Sequence, residues 1–145
     1  MLNPSRWRIV AIGKVRKLWI QDGLHLYLKR LPGLTVTELR DCGIKKETQE
    51  IDKTITSKEL LVTLSEEGEL LTSLSFSQRL QELGSNRIAF VIGGANGLSP
   101  EIKNRAYWNI SLSHLTFPHD IARLLLSEQL YRANTIAQGG PYHRE

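Results

Sequence analysis

The residues best suited to chemistry lie in the last third of the chain, from Arg87 to Glu145. An apolar run, Ile88-Ala89-Phe90-Val91-Ile92, breaks into Gly93-Gly94-Ala95-Asn96-Gly97. Glycine lets backbone approach a ligand closely, so this run can offer N–H and C=O groups to a nucleotide-like molecule. It has neither the spacing of a dinucleotide fingerprint nor the lysine of a phosphate loop. As a bare motif it is better explained as a tight strand-to-helix turn. Further on comes Ser111-Leu112-Ser113-His114-Leu115-Thr116-Phe117-Pro118-His119, which is apolar for a connection. Such a loop is expected to be buried, with its backbone polar groups satisfied either internally or by the edge of a base. The chain ends on Pro141-Tyr142-His143-Arg144-Glu145, a phenol, an imidazole and a guanidinium in succession.

These groups need elements to position them. Trp7 to Ile12 reads as a strand ending at Gly13, and Lys17 to Leu31 as a helix stopped by Pro32-Gly33. Leu34 to Leu39 alternates as a strand, whereas Lys45 to Ile55 is polar and fits a short exposed helix or an ordered loop. Leu60 to Leu64 reads as a buried strand with Glu66-Glu67-Gly68 as the turn after it, and Phe76 to Leu83 as a helix ending near Gly84. The continuous apolar run Ile88 to Ile92 suits a central parallel strand covered on both faces. Ser99-Pro100-Glu101 supplies an N-cap, an N1 proline and an early acid for a short helix. A fifth strand follows at Asn109 to Leu112, then a closing helix from Asp120 to Gln138 with Gly139-Gly140 as its stop.

Strands alternating with helices predict one α/β domain over residues 1–145, its sheet mostly parallel, five- to six-stranded and flanked by helices. Ligands in such sheets sit beyond the carboxyl ends of the strands. That picks out the loops after Leu64, at Gly93–Gly97 and at Leu112–Phe117.

With 145 residues, 41% of them hydrophobic, the chain can bury one good core. No apolar run is long enough to cross a bilayer and the start lacks a signal-peptide pattern, which points to the cytoplasm and to no membrane partner. Cys42 is the single cysteine, so no internal disulfide can form. His114 and His119 are five apart across a proline, not a helical zinc pair, and no metal is expected. The net charge is +4, with Arg6, Arg8, Lys14, Arg16, Lys17, Lys29 and Arg30 against Asp22 in the first 31 residues. Such a section can track a phosphate backbone or simply form a solvated face.

Val91 to Ser99, Ser111 to His119, Arg123, Glu128-Gln129-Leu130-Tyr131-Arg132-Ala133 and the ending Tyr142-His143-Arg144 together resemble the RlmH (YbeA-type) methyltransferases of the SPOUT class. The resemblance implies a SPOUT fold whose C-terminal part forms a deep trefoil knot. It also implies S-adenosyl-L-methionine as cofactor, held by Leu64, Gly93, Leu112, Ser113, His114, Leu115, Thr116 and Phe117. The reaction implied is methylation of N3 of a pseudouridine in an intersubunit stem-loop of 23S (large-subunit) ribosomal RNA, on the assembled ribosome. Arg144 is then the candidate cation, His143 the proton acceptor or orienter, and Tyr142 a stacking or positioning group. His119 is a candidate for phosphate or base, and Arg123 and Arg132 for RNA contact or for positioning the tail.

The closing helix carries Ile121, Leu124, Leu125, Leu126, Leu130, Ala133, Ile136 and Ala137 around more than one face, which calls for a second surface. A homodimer supplies it, and the resemblance implies one in which the tail of one subunit completes the site of the other. Two other functions fit the composition: a non-catalytic rRNA-binding module, and another nucleotide-using α/β enzyme with phosphate at the glycine run.

Overall fold

The computed structural model describes residues 2–144, so Glu145 of the tail lies outside it. Five strands form one sheet: β1 (Trp7–Ile12), β2 (Thr35–Leu39), β3 (Glu59–Leu70), β4 (Arg87–Ile92) and β5 (Trp108–Ser111). All four pairings are parallel, and the spatial order is β2-β1-β4-β3-β5. The helices are α1 (Leu18–Lys29), α2 (Ile44–Thr54), α3 (Ser73–Leu83), α4 (Pro100–Arg105) and α5 (His119–Ala137).

Period-two alternation on β1 and β4 divides the core between the two faces. Ile9, Ala11, Ile88, Phe90 and Ile92 join Leu80, Leu126 and Leu130 on the face covered by α3 and α5, which α1 also packs against. Val10, Ile12, Ala89 and Val91 join Ile51 and Ile102 on the face of α2 and α4. The connections that step one way along the sheet (α1, α3) share a face, and those that step the other way (α2, α4) share the opposite one. Crossovers of a single hand require that arrangement.

Local chemistry sets the element ends. Helix α3 begins at Ser73, three residues before the expected Phe76, because Thr72 and Ser75 form a reciprocal capping box. The polar segment Lys45 to Ile55 is largely α2, and it is more than exposed: Glu47, Thr48 and Ile51 are buried. Glu47 accepts hydrogen bonds from the N–H groups of Cys42 and Gly43, satisfying donors at its own helix start. At the end of α5, Gly139 adopts φ 72°. Its N–H reaches Ile136 O and that of Gly140 reaches Thr135 O, a Schellman stop that turns the tail back along the helix.

One expectation is corrected. Glu66-Glu67-Gly68 is no turn after a strand, because β3 continues through it to Leu70. Leu64 and Glu69 both face Ile110 of β5, so the residues between them are an outward bulge. Gly68 permits the return: a Cβ there would lie 2.4 Å from the backbone carbon of Ile110. Gly68→Ala should therefore cost about 1–3 kcal/mol through overpacking, read as a lower midpoint in urea denaturation. An unchanged midpoint would mean that the bulge can close without glycine.

Candidate functional site

A cavity of about 390 Å³ opens at the carboxyl ends of β4 and β5, beside the bulge in β3. This is within the size range of small-molecule sites. Its walls come from the β3 bulge, two loops, Lys103 of α4 and the start of α5. The bulge after Leu64 supplies Ser65, Glu66 and Glu67; the glycine run supplies Gly93 to Gly97; Ser111 to Ser113 and Leu115 to Phe117 form the third wall, and His119 and Ala122 close it.

The glycine run is both a tight turn and a wall. Gly97 N–H donates to Gly94 O at 3.0 Å, leaving Ala95 and Asn96 at the tip. Gly97 sits at φ 73°. A Cβ on Gly93 would lie 2.6 Å from the carbonyl carbon of Gly97, so this crossing tolerates only glycine at position 93. Leu98, buried against Ile102 and Val91, pins the turn to the core.

The third wall departs from the expected buried loop. Ser111 Oγ donates to Ser113 O at 2.8 Å, and Ser113 Oγ accepts from Leu115 N–H at 3.0 Å, so the two serines brace the backbone. The apolar side chains stay uncovered: Leu115 is 71% exposed, while Leu112 and Phe117 are only partly buried. A braced, open apolar rim suits a flat ring laid against it. Of the eight residues expected to hold a cofactor, Leu64, Gly93, Leu112, Ser113, Leu115, Thr116 and Phe117 line the cavity. His114 does not, and points to solvent.

His119 also lines the cavity, its ring against the backbone of Gly13. Its Nδ1 is buried with no hydrogen-bond partner, an orphaned polar atom at the edge of the space. Arg123, one turn on, is placed differently from the expected RNA contact. It is 3% exposed, and its guanidinium donates to Glu38 Oε2 at 2.6 Å and to Gly13 O at 3.0 Å. Its fork ties α5 to the ends of β1 and β2, out of reach of a phosphate.

The tail lies elsewhere. Tyr142 O–H donates to Glu128 Oε2 at 2.9 Å, and its ring meets Tyr131 edge-on with centroids 4.7 Å apart. Arg132 donates to Glu128 at 2.9 Å, faces the Tyr142 ring at 4.9 Å and lies 3.0 Å from His143 Nδ1. Burial pushes the Tyr142 phenol well above its ordinary range, and its hydrogen bonds with Tyr27 and Glu128 push the same way. It therefore stays a neutral donor throughout the physiological range. The hydrogen bond to Glu128 raises the Arg132 guanidinium further, against a smaller effect of burial. Arg144 is exposed. Ala122 and Arg132 are ten residues apart on α5, about 15 Å along its axis. Within one chain the cavity and the tail are separate sites.

A family model described as "Predicted SPOUT methyltransferase" matches residues 5–143. The chain belongs to the SPOUT methyltransferase family. It is 67% identical over 144 residues to "Ribosomal RNA large subunit methyltransferase H" of Prochlorococcus marinus (strain MIT 9211), with 99% of each chain covered. It is 62% identical over 143 residues to the protein of the same name in Synechococcus sp. (strain CC9311), again with 99% of both covered. Among solved structures, a probable methylase family protein from Haemophilus influenzae Rd KW20 aligns with TM-score 0.62 at 13% identity, covering 98% of this chain and 72% of that one. The methyltransferase AviRb from Streptomyces viridochromogenes, in complex with AdoMet, aligns with TM-score 0.51 at 12% identity, covering 92% and 58%. At those identities the likeness is one of fold.

Several site residues were missed from sequence. Glu66 and Glu67 read as the turn after a strand because the bulge leaves no local mark, and nothing in the sequence singles out Lys103. The i,i+4 spacing of Glu128 and Arg132 allows a salt bridge, which the structure forms, but gives no sign that Glu128 also holds the tail through Tyr142. Arg123→Met should cost about 2 kcal/mol, less than for a fully buried pair because Glu38 is open to water. Urea unfolding measures this, and an unchanged midpoint would show the latch to be idle.

Proposed function

We infer that this chain is an S-adenosylmethionine-dependent methyltransferase that acts on N3 of a pseudouridine in large-subunit ribosomal RNA. The observation that carries the reading is the cavity itself. Seven of the eight residues expected to hold the cofactor, taken from three separate loops, surround one space at the carboxyl ends of the central strands. Names borne by relatives 62–67% identical over nearly their whole length agree with it.

The residues present fit the cofactor. The apolar rim of Leu112, Leu115 and Phe117 suits its adenine, and the glycine turn lets the backbone come close to the ribose. When bound, the cofactor supplies a sulfonium methyl, already a strong electrophile. The protein's task is then to align the nucleophile and to manage one proton. The imide N–H of the base must be lost as N3 attacks. Arg144 stabilises the developing anion, His143 accepts or orients the proton, and Tyr142 positions the tail or stacks on the base. His119, on the cavity edge with an unpartnered Nδ1, addresses the base or an adjacent phosphate. Arg132 holds the tail through His143 and Tyr142, so its part is positioning.

Cavity and tail must meet for this chemistry, and in one chain the tail is clamped at Glu128 and Arg132, about 9 and 15 Å along α5 from Ala122. A homodimer resolves the separation: the tail of one subunit completes the cavity of the other. Support comes from exposed apolar surface at the start of α1, where Leu18 is 73% and Trp19 60% exposed, on the helix whose Ile20 and Leu24 pack against half-covered Ile121 and Leu124 of α5. The trefoil knot and action on the assembled ribosome in the cytoplasm belong to the same reading.

Methylation of ribosomes by Arg144→Ala should fall by roughly 10²–10³, with adenosylhomocysteine affinity unchanged. Wild-type turnover would remove Arg144 from the mechanism. Light scattering at micromolar concentration should give twice the chain mass, and Leu18→Glu with Trp19→Glu should shift it toward the monomer. A monomer for the unaltered chain would overturn the shared site.

A further inference from the structure

The cavity wall is backbone, small polar groups and apolar side chains, with few exceptions. Its ionisable lining groups are Glu66, Glu67, Lys103 and His119. Two of these are already paired: Lys103 Nζ lies 2.9 Å from Glu67 Oε2. The partners stand on different walls, Glu67 on the bulge of β3 and Lys103 on α4. The Lys103 side chain is only 23% exposed, so its stem lies along the wall, whereas Glu67 is 73% exposed. An ion pair that open adds little to folding. Its place on the wall of a binding cavity asks for another explanation.

We propose that Glu67 and Lys103 form the subsite for the amino-acid end of the cofactor, with Lys103 taking the α-carboxylate and Glu67, flanked by Glu66, taking the α-ammonium. This deepens the cofactor reading and rests on it. A zwitterion needs both signs of charge within a few ångströms, and this pair offers both on the cavity wall. The exchange is favourable in kind: one exposed ion pair opens and two charge-assisted contacts replace it. The apolar side chains of the third wall, Leu112, Leu115 and Phe117, carry no charge and suit the base. The bulge gains a purpose from this assignment. Glu67 belongs to the extra residues between Leu64 and Glu69, and it is from there that its carboxylate meets Lys103 of α4. A ligand that stops short of the amino acid leaves the pair closed and makes no use of it.

Displacement calorimetry with two ligands tests this on the intact protein. Adenosylhomocysteine carries the amino-acid end, and methylthioadenosine lacks it. Lys103→Met should weaken adenosylhomocysteine roughly ten- to hundredfold and leave methylthioadenosine within about twofold, which also reports an intact adenosine half. Glu67→Gln should show the same selectivity. Equal weakening of both ligands would mean that the pair only shapes the wall, and unchanged adenosylhomocysteine affinity would mean that it is not used; either overturns the proposal. Failure of the unaltered protein to bind either ligand would overturn the cofactor reading as well, so the two failures are distinct.

Discussion

The structure depends on the double coverage of β4. Lying between β1 and β3, with helices on both faces, this strand has no place for a polar side chain beyond exposed Arg87 at its start, and Phe90 and Val91 are wholly buried. Burying each such large apolar side chain contributes about 1.5–3 kcal/mol, and the helices on either face are held by it. Two faces so closed leave the strand ends as the places where the interior can meet a ligand. At the carboxyl end the chain must turn immediately, under core already packed by Leu98 and Ile102. Glycine at 93 and 97 is the consequence, and the cavity lies beside that turn.

What could be read from sequence follows the reach of each interaction. Strands β1 and β4 and helix α5 are specified by residues within their own span, so alternation, apolar runs and a glycine stop revealed them. The capping box at Thr72 and Ser75 is equally local and could have been read. The bulge in β3 could not, because it exists only in register with β5, some forty residues on. The mismatch at Ile110 leaves no mark in the local pattern around Glu66. Arg123 teaches the same lesson for the site. One turn from His119, it looked like an RNA contact, yet its partners Glu38 and Gly13 arrive from β2 and from the turn after β1. Loop residues such as Leu112 and Phe117 were found because apolar side chains in a connection are anomalous whatever surrounds them.

The tail is as ordered as the cavity, but by different means. A phenol kept neutral, a carboxylate shared between Tyr142 and Arg132, and an imidazole next to the guanidinium form one connected cluster at the far end of α5. The Schellman stop at Gly139 and Gly140 aims the chain into it. Residues held in advance in this way have less ordering left to do on binding.

Helix α5 joins these two ends. It begins at His119 on the cavity and carries the tail clamp at Glu128 and Arg132, within 19 residues and about 28 Å. The helix is thus a ruler as well as a wall, setting both the distance and the angular phase between the cavity and the tail cluster. Each residue of a helix turns about 100°. One residue inserted between Ala122 and Glu128 would swing the whole tail by more than a quarter turn, even with every side chain intact. Substitutions along α5 can be absorbed one at a time; a change in its length would put the cavity and the tail out of register at once.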